Sequence, residues 1–181
     1  MSEKLASAGK IIRFWALKRV IRSWNRCTKL RIARLCRNLM DDTIKDVLIE
    51  FDPNGSLATT HKSQGSDMGL FGGFLGWDAD DERLPQSDKH IVTAGINVTI
   101  NITDIGADHP NTYKLTLSNQ KETRKLTAIS TGGGMIEVTE IDGVVVSMAG
   151  DYFETLIYCS DPEKIISYIE LAKQEGGTVL C

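Results

Sequence analysis

The chain has 181 residues, of which 41% are hydrophobic and 25% are charged, as is ordinary for a globular protein. No apolar run reaches the ~18 residues that a membrane-spanning helix needs, and no secretory signal opens the chain. We therefore expect a cytoplasmic protein that stays outside the membrane. Eleven of the 21 Lys and Arg residues lie within residues 1–38 beside a single acid, Glu3, so a basic N-terminal part precedes an acidic remainder.

Cysteine and histidine spacing argues against a metal site built by this chain alone. The four cysteines are Cys27, Cys36, Cys159 and Cys181, and the three histidines are His61, His90 and His109. No C-x-x-C pair is present, and the histidines fall at no spacing typical of metal ligands. Cytosolic thiols are normally reduced, so we predict free cysteines and no metal or cofactor bound by this chain.

Residues 10–26 (KIIRFWALKRVIRSWNR) show the pattern of a basic amphipathic helix. The apolar residues at helical spacing are Phe14, Leu17, Ile21 and Trp24. Two interpretations stay open: a helix that binds a membrane surface or nucleic acid, or a helix that packs on the protein or a partner. We favour packing and expect no nucleic-acid binding, because one basic helix is a weak signal. Residues 1–27 thus form a predicted basic N-terminal helical arm.

Residues 28–40 predict a second helix, with Cys36 on its apolar face and therefore in the core. Turn and capping signals divide the next segment. In chain order it reads as a strand at 44–51, the turn Asp52-Pro53-Asn54-Gly55, a polar loop with His61, a short helix near 67–76 capped by Asp67, an acidic turn at 77–85 and a helix at 87–95.

Strand patterns dominate the next part of the chain. The predicted strands are 96–102, 113–117, 126–131, 135–141, 144–148 and 153–159. Asp142-Gly143 predicts a two-residue hairpin between two of them. A helix from Asp161 to Gln174 and a last strand at 178–181 follow. The order predicts an α/β protein with a mixed sheet (α+β) in two pieces, divided near Gly150-Asp151.

A polar loop, His109-Pro110-Asn111-Thr112, lies between two predicted strands. Proline fixes its own backbone and biases the preceding residue toward extended geometry, so the loop can project an imidazole and an amide from a rigid support. Together these groups can bind the carboxylate and hydroxyl of a small polar ligand. The alternative is an Asx turn that closes a hairpin.

A glycine run, Thr131-Gly132-Gly133-Gly134, links two other predicted strands. Successive glycines can present their backbone N–H groups as an anion-binding nest, and the alternative is a flexible loop or bulge. No complete set of nucleophile, base and acid emerges, and no phosphate-binding motif is present. We therefore assign no catalytic residue.

Four motifs in this order resemble the beta subunit of iron–sulfur-dependent L-serine dehydratases. They are Arg31–Leu39 (RIARLCRNL), Ser63–Leu84 (SQGSDMGLFGGFLGWDADDERL), His109–Thr112, which matches the family's H-P-N-T, and Ser130–Ile141 (STGGGMIEVTEI). The resemblance implies an allosteric substrate-binding-like domain over 28–150 and a partial ACT-like βαβ segment over 151–181. It also implies a site for serine as effector, formed by His109, Asn111, Thr112, Gly132, Gly133 and Gly134.

Family members eliminate water from L-serine and then release ammonia, giving pyruvate. A [4Fe–4S] cluster acts there as a Lewis acid on the serine hydroxyl, and its cysteine ligands belong to the alpha subunit. The resemblance therefore implies a beta-type component that binds L-serine and docks on a cluster-bearing alpha partner, and it leaves room for a homodimer. The alternative is a non-catalytic, homo-oligomeric serine sensor or scaffold.

Two positions depart from the family pattern. The family's S-S-S-H-T motif, which is associated with the active site, aligns with Arg22–Cys27 (RSWNRC) and finds no counterpart there. Gln64 stands where the family has a histidine. These departures weaken the expectation of catalysis more than that of serine binding, and we expect no turnover by this chain alone.

Overall fold

The computed structural model describes residues 9–13, 27–40, 43–151 and 155–159, together with positions 161, 163, 166, 167 and 170. These residues fall into two compact units. The described residues between 27 and 151 form the larger unit, and residues 9–13 with the described ones from 155 onward form the smaller one.

The smaller unit contains a two-stranded antiparallel sheet of strands β1 (Gly9–Arg13) and β8 (Thr155–Cys159). The helix predicted over 10–26 is therefore wrong for its first four residues. The β-branched pair Ile11-Ile12 favours a strand, and β8 supplies the partner that its backbone groups need. Residues 14–26, which carry most of the helical pattern, lie outside the described residues.

The larger unit opens with helices and ends in a run of strands. Its helices are α1 (Thr28–Leu39), α2 (Leu57–Thr60), α3 (Ser66–Phe74) and α4 (Ser87–Thr93), with a 3-10 turn at Leu84–Gln86. Its strands are β2 (Asp46–Phe51), β3 (Asn97–Ile102), β4 (Thr112–Ser118), β5 (Thr123–Gly132), β6 (Met135–Ile141) and β7 (Val144–Met148). The predicted mixed α/β class is confirmed, and the arrangement is consistent with an ACT-like α+β fold.

The six strands of the larger unit form one sheet in the order β3-β2-β4-β5-β6-β7. β2 and β3 are parallel, and helices α2 to α4 lie in the crossover that a parallel pair needs. All other neighbours in this sheet are antiparallel. Because β4 pairs with β2 and not with β3, the connection at 103–111 crosses the carboxyl end of β2.

Alternating side chains on the central strands build the core. The buried residues on β2, β4 and β5 are Val47, Ile49, Phe51, Tyr113, Leu115, Leu117, Leu126 and Ala128. Helix α1 contributes Ile32, Leu35, Cys36 and Leu39, all fully buried, so the predicted core position of Cys36 is confirmed. Burial also raises the pKa of the Tyr113 phenol to about 12.

Two glycines of α3 are closely packed, Gly73 against helix α1 and Gly72 against the 3-10 turn. A Cβ on Gly73 would lie 2.5 Å from both the Ala33 Cβ and the Leu30 carbonyl oxygen. A Cβ on Gly72 would lie 2.3 Å from a methyl group of Leu84. The apolar, glycine-rich stretch therefore forms a helix because its low intrinsic propensity is outweighed by packing.

Local details differ from the sequence prediction at two places. The segment predicted as a polar loop with His61 contains the short helix α2. Helix α3 starts after Gly65, which has φ +66°, so Asp67 lies in the first turn and is not the cap. Its carboxylate instead binds Nδ1 of His61 at 2.8 Å. The predicted hairpin is confirmed, with φ +50° at Asp142 and +85° at Gly143.

The chain after residue 151 is described only in part. The strand predicted at 153–159 is confirmed from Thr155 onward, and the described positions 163, 166, 167 and 170 are helical as predicted. The last predicted strand, at 178–181, lies outside the described residues. Among the helices that the structure describes, none is long and apolar enough to cross a membrane.

Candidate functional site

An open cleft of about 190 Å³ lies at the carboxyl end of β2. Its walls are the turn after β2 and the loop that leads into β4. The lining residues are Asp52, Asn54, Gly55, Ala107, Asp108, His109 and Pro110. Of the predicted ligand residues, His109 is thus the one that lines the cleft directly.

A second cleft of the same volume, about 190 Å³, lies at the opposite end of β2. Its polar lining consists of Asp46, Asn97 and three hydroxyl-bearing residues, Thr99, Thr116 and Ser118. The Asp46 carboxylate already accepts a hydrogen bond from the Asn97 amide at 2.9 Å. The two clefts have the same volume. The first is the stronger candidate for a ligand site, because it combines the His109 imidazole with a loop that hydrogen bonds hold in place.

Asp52 ties the two walls of the cleft together. Its Oδ1 accepts the backbone N–H of Asn54 at 2.9 Å, and its Oδ2 accepts those of Ile105 at 3.3 Å and Ala107 at 3.5 Å. These bonds, with that of Asn54 foremost, hold the pKa of the Asp52 carboxyl below its ordinary value, although burial opposes them. Asp52 is therefore an ionised clasp at neutral pH.

The turn after β2 also touches the H-P-N-T loop directly. A Cβ on Gly55 would lie 2.8 Å from the Pro110 carbonyl oxygen, so only glycine permits this approach. Ser56 donates its backbone N–H to that same carbonyl at 2.9 Å. The Ser56 hydroxyl donates to Oδ1 of Asn111. Backbone and side-chain contacts thus hold the two segments together.

His109 is oriented by its own loop. Its Nδ1 accepts the backbone N–H of Asn111 at 3.1 Å, and its carbonyl accepts the hydroxyl of Thr112 at 2.6 Å. A ring nitrogen that accepts a hydrogen bond carries no proton, so the neutral imidazole has its proton on Nε2. His109 can therefore donate a hydrogen bond from Nε2 to a ligand.

Asn111 and Thr112 belong to the same loop but do not line the cleft. Asn111 is half-buried and lies outside the lining, while Thr112 is buried and supports the His109 carbonyl. The alternative that this loop merely closes a hairpin is wrong, because β3 and β4 lie on opposite sides of β2 and do not pair.

The three glycines form a tight turn between β5 and β6. Gly132 pairs with Met135, so Gly133 and Gly134 are the two turn residues, with φ +59° and +80°. The register shifts between Ser130 and Gly132, which marks a bulge. The bulge of the alternative interpretation is therefore present, and positive φ explains why glycine occupies both turn positions.

The glycine turn and the H-P-N-T loop lie at the same end of neighbouring strands. The Ser130 backbone N–H donates to the Asn111 carbonyl at 3.1 Å, and Thr112 pairs with Ile129. The guanidinium of Arg31, on α1, donates from Nη1 to the Gly134 carbonyl. The turn is thus anchored to the helix layer, and backbone pairing joins it to the loop.

Two curated proteins are similar to this chain over most of its length. The probable L-serine dehydratase beta chain of Bacillus subtilis (strain 168) is 35% identical over 131 residues, which are 72% of this chain and 59% of that protein. The L-serine dehydratase beta chain of Peptoniphilus asaccharolyticus is 31% identical over 141 residues, 77% of this chain and 63% of that protein. None of the protein-family models searched matches the chain.

This chain is thus similar to L-serine dehydratase beta chains over about three quarters of its own length. The chain spans about three fifths of the length of the two curated relatives, since the matched regions are 59% and 63% of those proteins. The resemblance stated from the sequence motifs is confirmed at the level of the beta chain. The activity, substrate and partner of the two complete relatives are a proposal for this chain.

The described cysteines of this chain do not fit the ligand set of an iron–sulfur cluster. Cys36 is fully buried on α1, and burial raises the pKa of its thiol. Cys27 is half-buried directly before α1. Within the described ranges, His, Cys, Asp and Glu side chains form no group of three or more that could hold a metal ion. No reaction step is assigned to a cluster in this part of the chain.

Sequence reasoning missed Asp52 and Ser56, the residues that hold the cleft together. Asp52 and Gly55 were read only as parts of a turn, and Ser56 was not singled out. The available signal was topological. A turn at the carboxyl end of one strand and a polar loop before its antiparallel neighbour must meet at the same edge of a sheet. Using that signal requires knowing that β4 pairs with β2, which the sequence does not state.

Proposed function

We propose that this chain is the beta-type component of an L-serine dehydratase, converting L-serine to pyruvate and ammonia together with an alpha partner. In this proposal the partner carries the [4Fe–4S] cluster, which supplies a Lewis acid for the serine hydroxyl. The beta-type component binds L-serine as an effector and docks on the partner. The names of the two relatives, each called a beta chain, support a partner subunit.

The observation that carries serine binding is the orientation of His109 within the cleft. With Nδ1 occupied by the Asn111 backbone N–H, Nε2 is the donor for a ligand carboxylate or hydroxyl. Asn54 adds an amide to the lining, and exposed Asp108 adds a carboxylate that suits an ammonium group. Asp52 is already engaged by three backbone N–H groups and serves as the clasp.

Serine would act on the complex by binding its two conformational states with different affinities. A ligand shifts an equilibrium only by that difference. The cleft has two walls joined by hydrogen bonds at Asp52 and at Ser56, so a ligand that contacts both walls stabilises the arrangement in which they are close. In this way a small zwitterion can favour one docking geometry of the beta-type component.

Calorimetric titration of L-serine into the purified chain tests the binding proposal. We expect saturable heat for the wild type and at least about tenfold weaker binding for His109→Ala, because a lost hydrogen bond to a charged group is worth about 1.5–3 kcal/mol. His90→Ala is the matched control, since His90 packs against Trp77 at a ring distance of 5.1 Å, outside the cleft. Equal binding by wild type and His109→Ala, or no binding with and without the alpha partner, would contradict the proposal.

A second candidate is the non-catalytic, homo-oligomeric sensor or scaffold, and the outer edge of the sheet favours it. β7 is an edge strand without charged residues, and its Val144 and Val145 side chains are 63% and 84% exposed. An uncharged, exposed edge strand pairs readily with another chain. Co-expression with a cluster-bearing alpha chain separates the candidates. A stable alpha–beta complex supports the dehydratase component, and a homo-oligomer that does not bind the alpha chain supports the scaffold.

A further inference from the structure

We infer that strand β3 pairs with β3 of a second copy of this chain, antiparallel and about a twofold axis at Thr99. The pairing joins the two six-stranded sheets into one continuous sheet. β3 is the edge strand at the opposite end of the sheet from β7. The inference concerns the assembly of this chain with itself, so it does not rest on the serine-binding cleft or on an alpha partner.

The outer edge of β3 has none of the features that keep an edge strand from pairing. Those features are charged side chains, proline and β-bulges. The six residues of β3 (Asn97–Ile102) include no charge and no proline, and all of them keep an unbroken parallel register with β2. Positions 97, 99, 101 and 102 are exposed. β7 at the other edge is also uncharged, but its register shifts against β6, so β3 is the more regular of the two edges.

Backbone groups of β3 face this open edge. The Asn97 N–H donates toward β2, to the Lys45 carbonyl at 2.8 Å. Because backbone groups alternate in direction along a strand, those of Val98 and Ile100 point away from β2. Among the described residues, no backbone hydrogen bond outside the helices and strands involves Val98 or Ile100. Their N–H and C=O groups are therefore available to another strand.

The sequence of this strand reads nearly the same in both directions. Residues 96–102 are I-N-V-T-I-N-I with Thr99 at the centre, and the one mismatched pair, Val98 and Ile100, is β-branched at both positions. A dimer with a twofold axis needs a self-complementary surface, because each contact across the axis occurs twice. A palindrome in an antiparallel pair meets this requirement, since each side chain comes opposite one of its own type. This symmetry identifies a second copy as the partner.

Pairing about Thr99 also suits the backbone and both faces of the sheet. Val98 comes opposite Ile100 of the second copy, and a directly opposed pair whose backbone groups face each other exchanges both N–H···O bonds. On the same face, Ile102, which is 45% exposed, gains an apolar neighbour in Ile96 of the second copy. On the other face, Thr99 meets its own copy, and no like charges stand opposite each other. The exposed isoleucine and the open backbone groups thus find partners together.

Analytical ultracentrifugation of the full chain tests the pairing. We expect a reversible monomer–dimer equilibrium with a dissociation constant within about 1–100 μM, the range of small interfaces. Thr99→Lys places two like charges opposite each other at the axis and should weaken the dimer at least about tenfold. Val145→Lys is the matched control, because it adds the same charge at an 84% exposed position of the other edge strand, and it should leave the dimer within about twofold of the wild type.

Two results of this experiment would overturn the inference. One is a wild type that stays monomeric at about 100 μM, including one that associates only with an alpha partner. The other is a dimer that Val145→Lys abolishes and Thr99→Lys leaves intact, since that dimer would form through β7.

Mixing Thr99→Lys with Thr99→Glu separates lost pairing from misfolding. Each variant alone should be largely monomeric, because it carries like charges at the axis. The mixture should recover a dimer, because lysine of one copy then lies opposite glutamate of the other. A misfolded variant could not be rescued in this way. A mixture that associates no better than either variant alone would contradict a twofold axis at Thr99.

Disulfide trapping tests the register. At a directly opposed pair without hydrogen bonds the Cα atoms lie about 4.5 Å apart, within the reach of a disulfide, so Thr99→Cys should form a covalent dimer under mild oxidation. Asn101→Cys is the control, because in this register it lies opposite Asn97 and far from its own copy. Both variants keep the native cysteines, so a non-reducing gel compares them directly. Equal trapping of the two variants, or stronger trapping of Asn101→Cys, would show that the strands pair in another register or not at all.

Discussion

The contact between helices α1 and α3 and the cleft at the end of β2 are held by different means. At the helix contact, Gly73 of α3 lies against Ala33 and the Leu30 carbonyl of α1 with no space for a Cβ. At the cleft, Asp52 and Ser56 hold two loops through hydrogen bonds. The first region depends on shape, and the second depends on charge and donor geometry.

The two regions therefore differ in which substitutions they tolerate without a loss of stability. Protein interiors are close-packed, so a misfit between helices is felt as lost stability. Hydrogen bonds at half-exposed positions contribute little net free energy each, but they decide which donor faces a ligand. Substitutions in the helix contact should therefore alter unfolding, whereas substitutions in the cleft should alter ligand binding.

Gly73→Ala should have the largest effect on stability. The new methyl group would lie 2.5 Å from the Ala33 Cβ and from the Leu30 carbonyl oxygen, and neither can move as a flexible side-chain end could. We expect a loss of about 3 kcal/mol in the free energy of unfolding, at the upper end of overpacking in a core. Urea unfolding followed by circular dichroism measures it.

Gly106→Ala is the control for this substitution. Gly106 has φ +63° and nothing within 4 Å of an added Cβ, so alanine there meets backbone strain without a clash. Its cost should be about 1 kcal/mol, that of a non-glycine residue in the left-handed region. Equal losses at the two positions would show that the close approach of α1 and α3 is not what constrains Gly73.

The sequence predicted the elements well because their signals are local. The apolar spacing of 28–40 predicted α1, and Asp142-Gly143 predicted the β6–β7 hairpin, since a two-residue turn with positive φ requires such residues. At the N-terminus the same reasoning was wrong, because residues 10–13 pair with a strand that lies far away in the sequence. Helical periodicity is a local property and carries no information about such a partner.

The candidate site was predicted only in part, for the same reason. His109 stood out because H-P-N-T is a compact motif in one loop, and it lines the cleft. Asp52 and Ser56 did not, because their roles arise from loop segments some fifty residues later in the chain. Sequence reasoning thus found the residue with the distinctive side chain and missed the ordinary residues that hold it in place.

Arg31→Met should have the next largest effect and tests whether the glycine turn belongs to the site. Arg31 is buried, burial lowers the pKa of its guanidinium, and its Nη1 binds the Gly134 carbonyl. We expect a loss of about 2 kcal/mol in the free energy of unfolding, from a hydrogen bond that involves a charged group. Thermal unfolding measures the stability, and L-serine titration of the same variant measures the site.

Arg37→Met serves as its control, because exposed Arg37 binds the Phe74 carbonyl at 2.8 Å on the far turn of α1. Its loss should stay below about 0.5 kcal/mol, as for other surface substitutions. If Arg31→Met weakens L-serine binding beyond its effect on stability, the glycine turn contributes to the site. If L-serine affinity is unchanged, the turn serves the sheet alone.

Asp52→Asn should have the smallest effect on stability and the sharpest dependence on pH. The pKa of the folded carboxyl lies below its ordinary value of 3.8, because the backbone N–H of Asn54 foremost favours the charged form. A group whose folded pKa is depressed stabilises the protein above its unfolded pKa, and this contribution is lost as the pH falls through the folded pKa. The wild type should therefore exceed Asp52→Asn in stability at pH 7, and the difference should shrink below pH ~4.

Urea unfolding at pH 7, 5 and 3 measures this difference, with Asp104→Asn as the control. Asp104 is exposed and, among the described residues, accepts the Gly106 backbone N–H within its own loop at 2.9 Å, so its substitution leaves the clasp between the two walls intact. A gap between wild type and Asp52→Asn that persists unchanged at pH 3 would mean that Asp52 acts through its shape and not its charge. A gap that closes would show that the cleft, unlike the helix contact, is held by a group that protons can release.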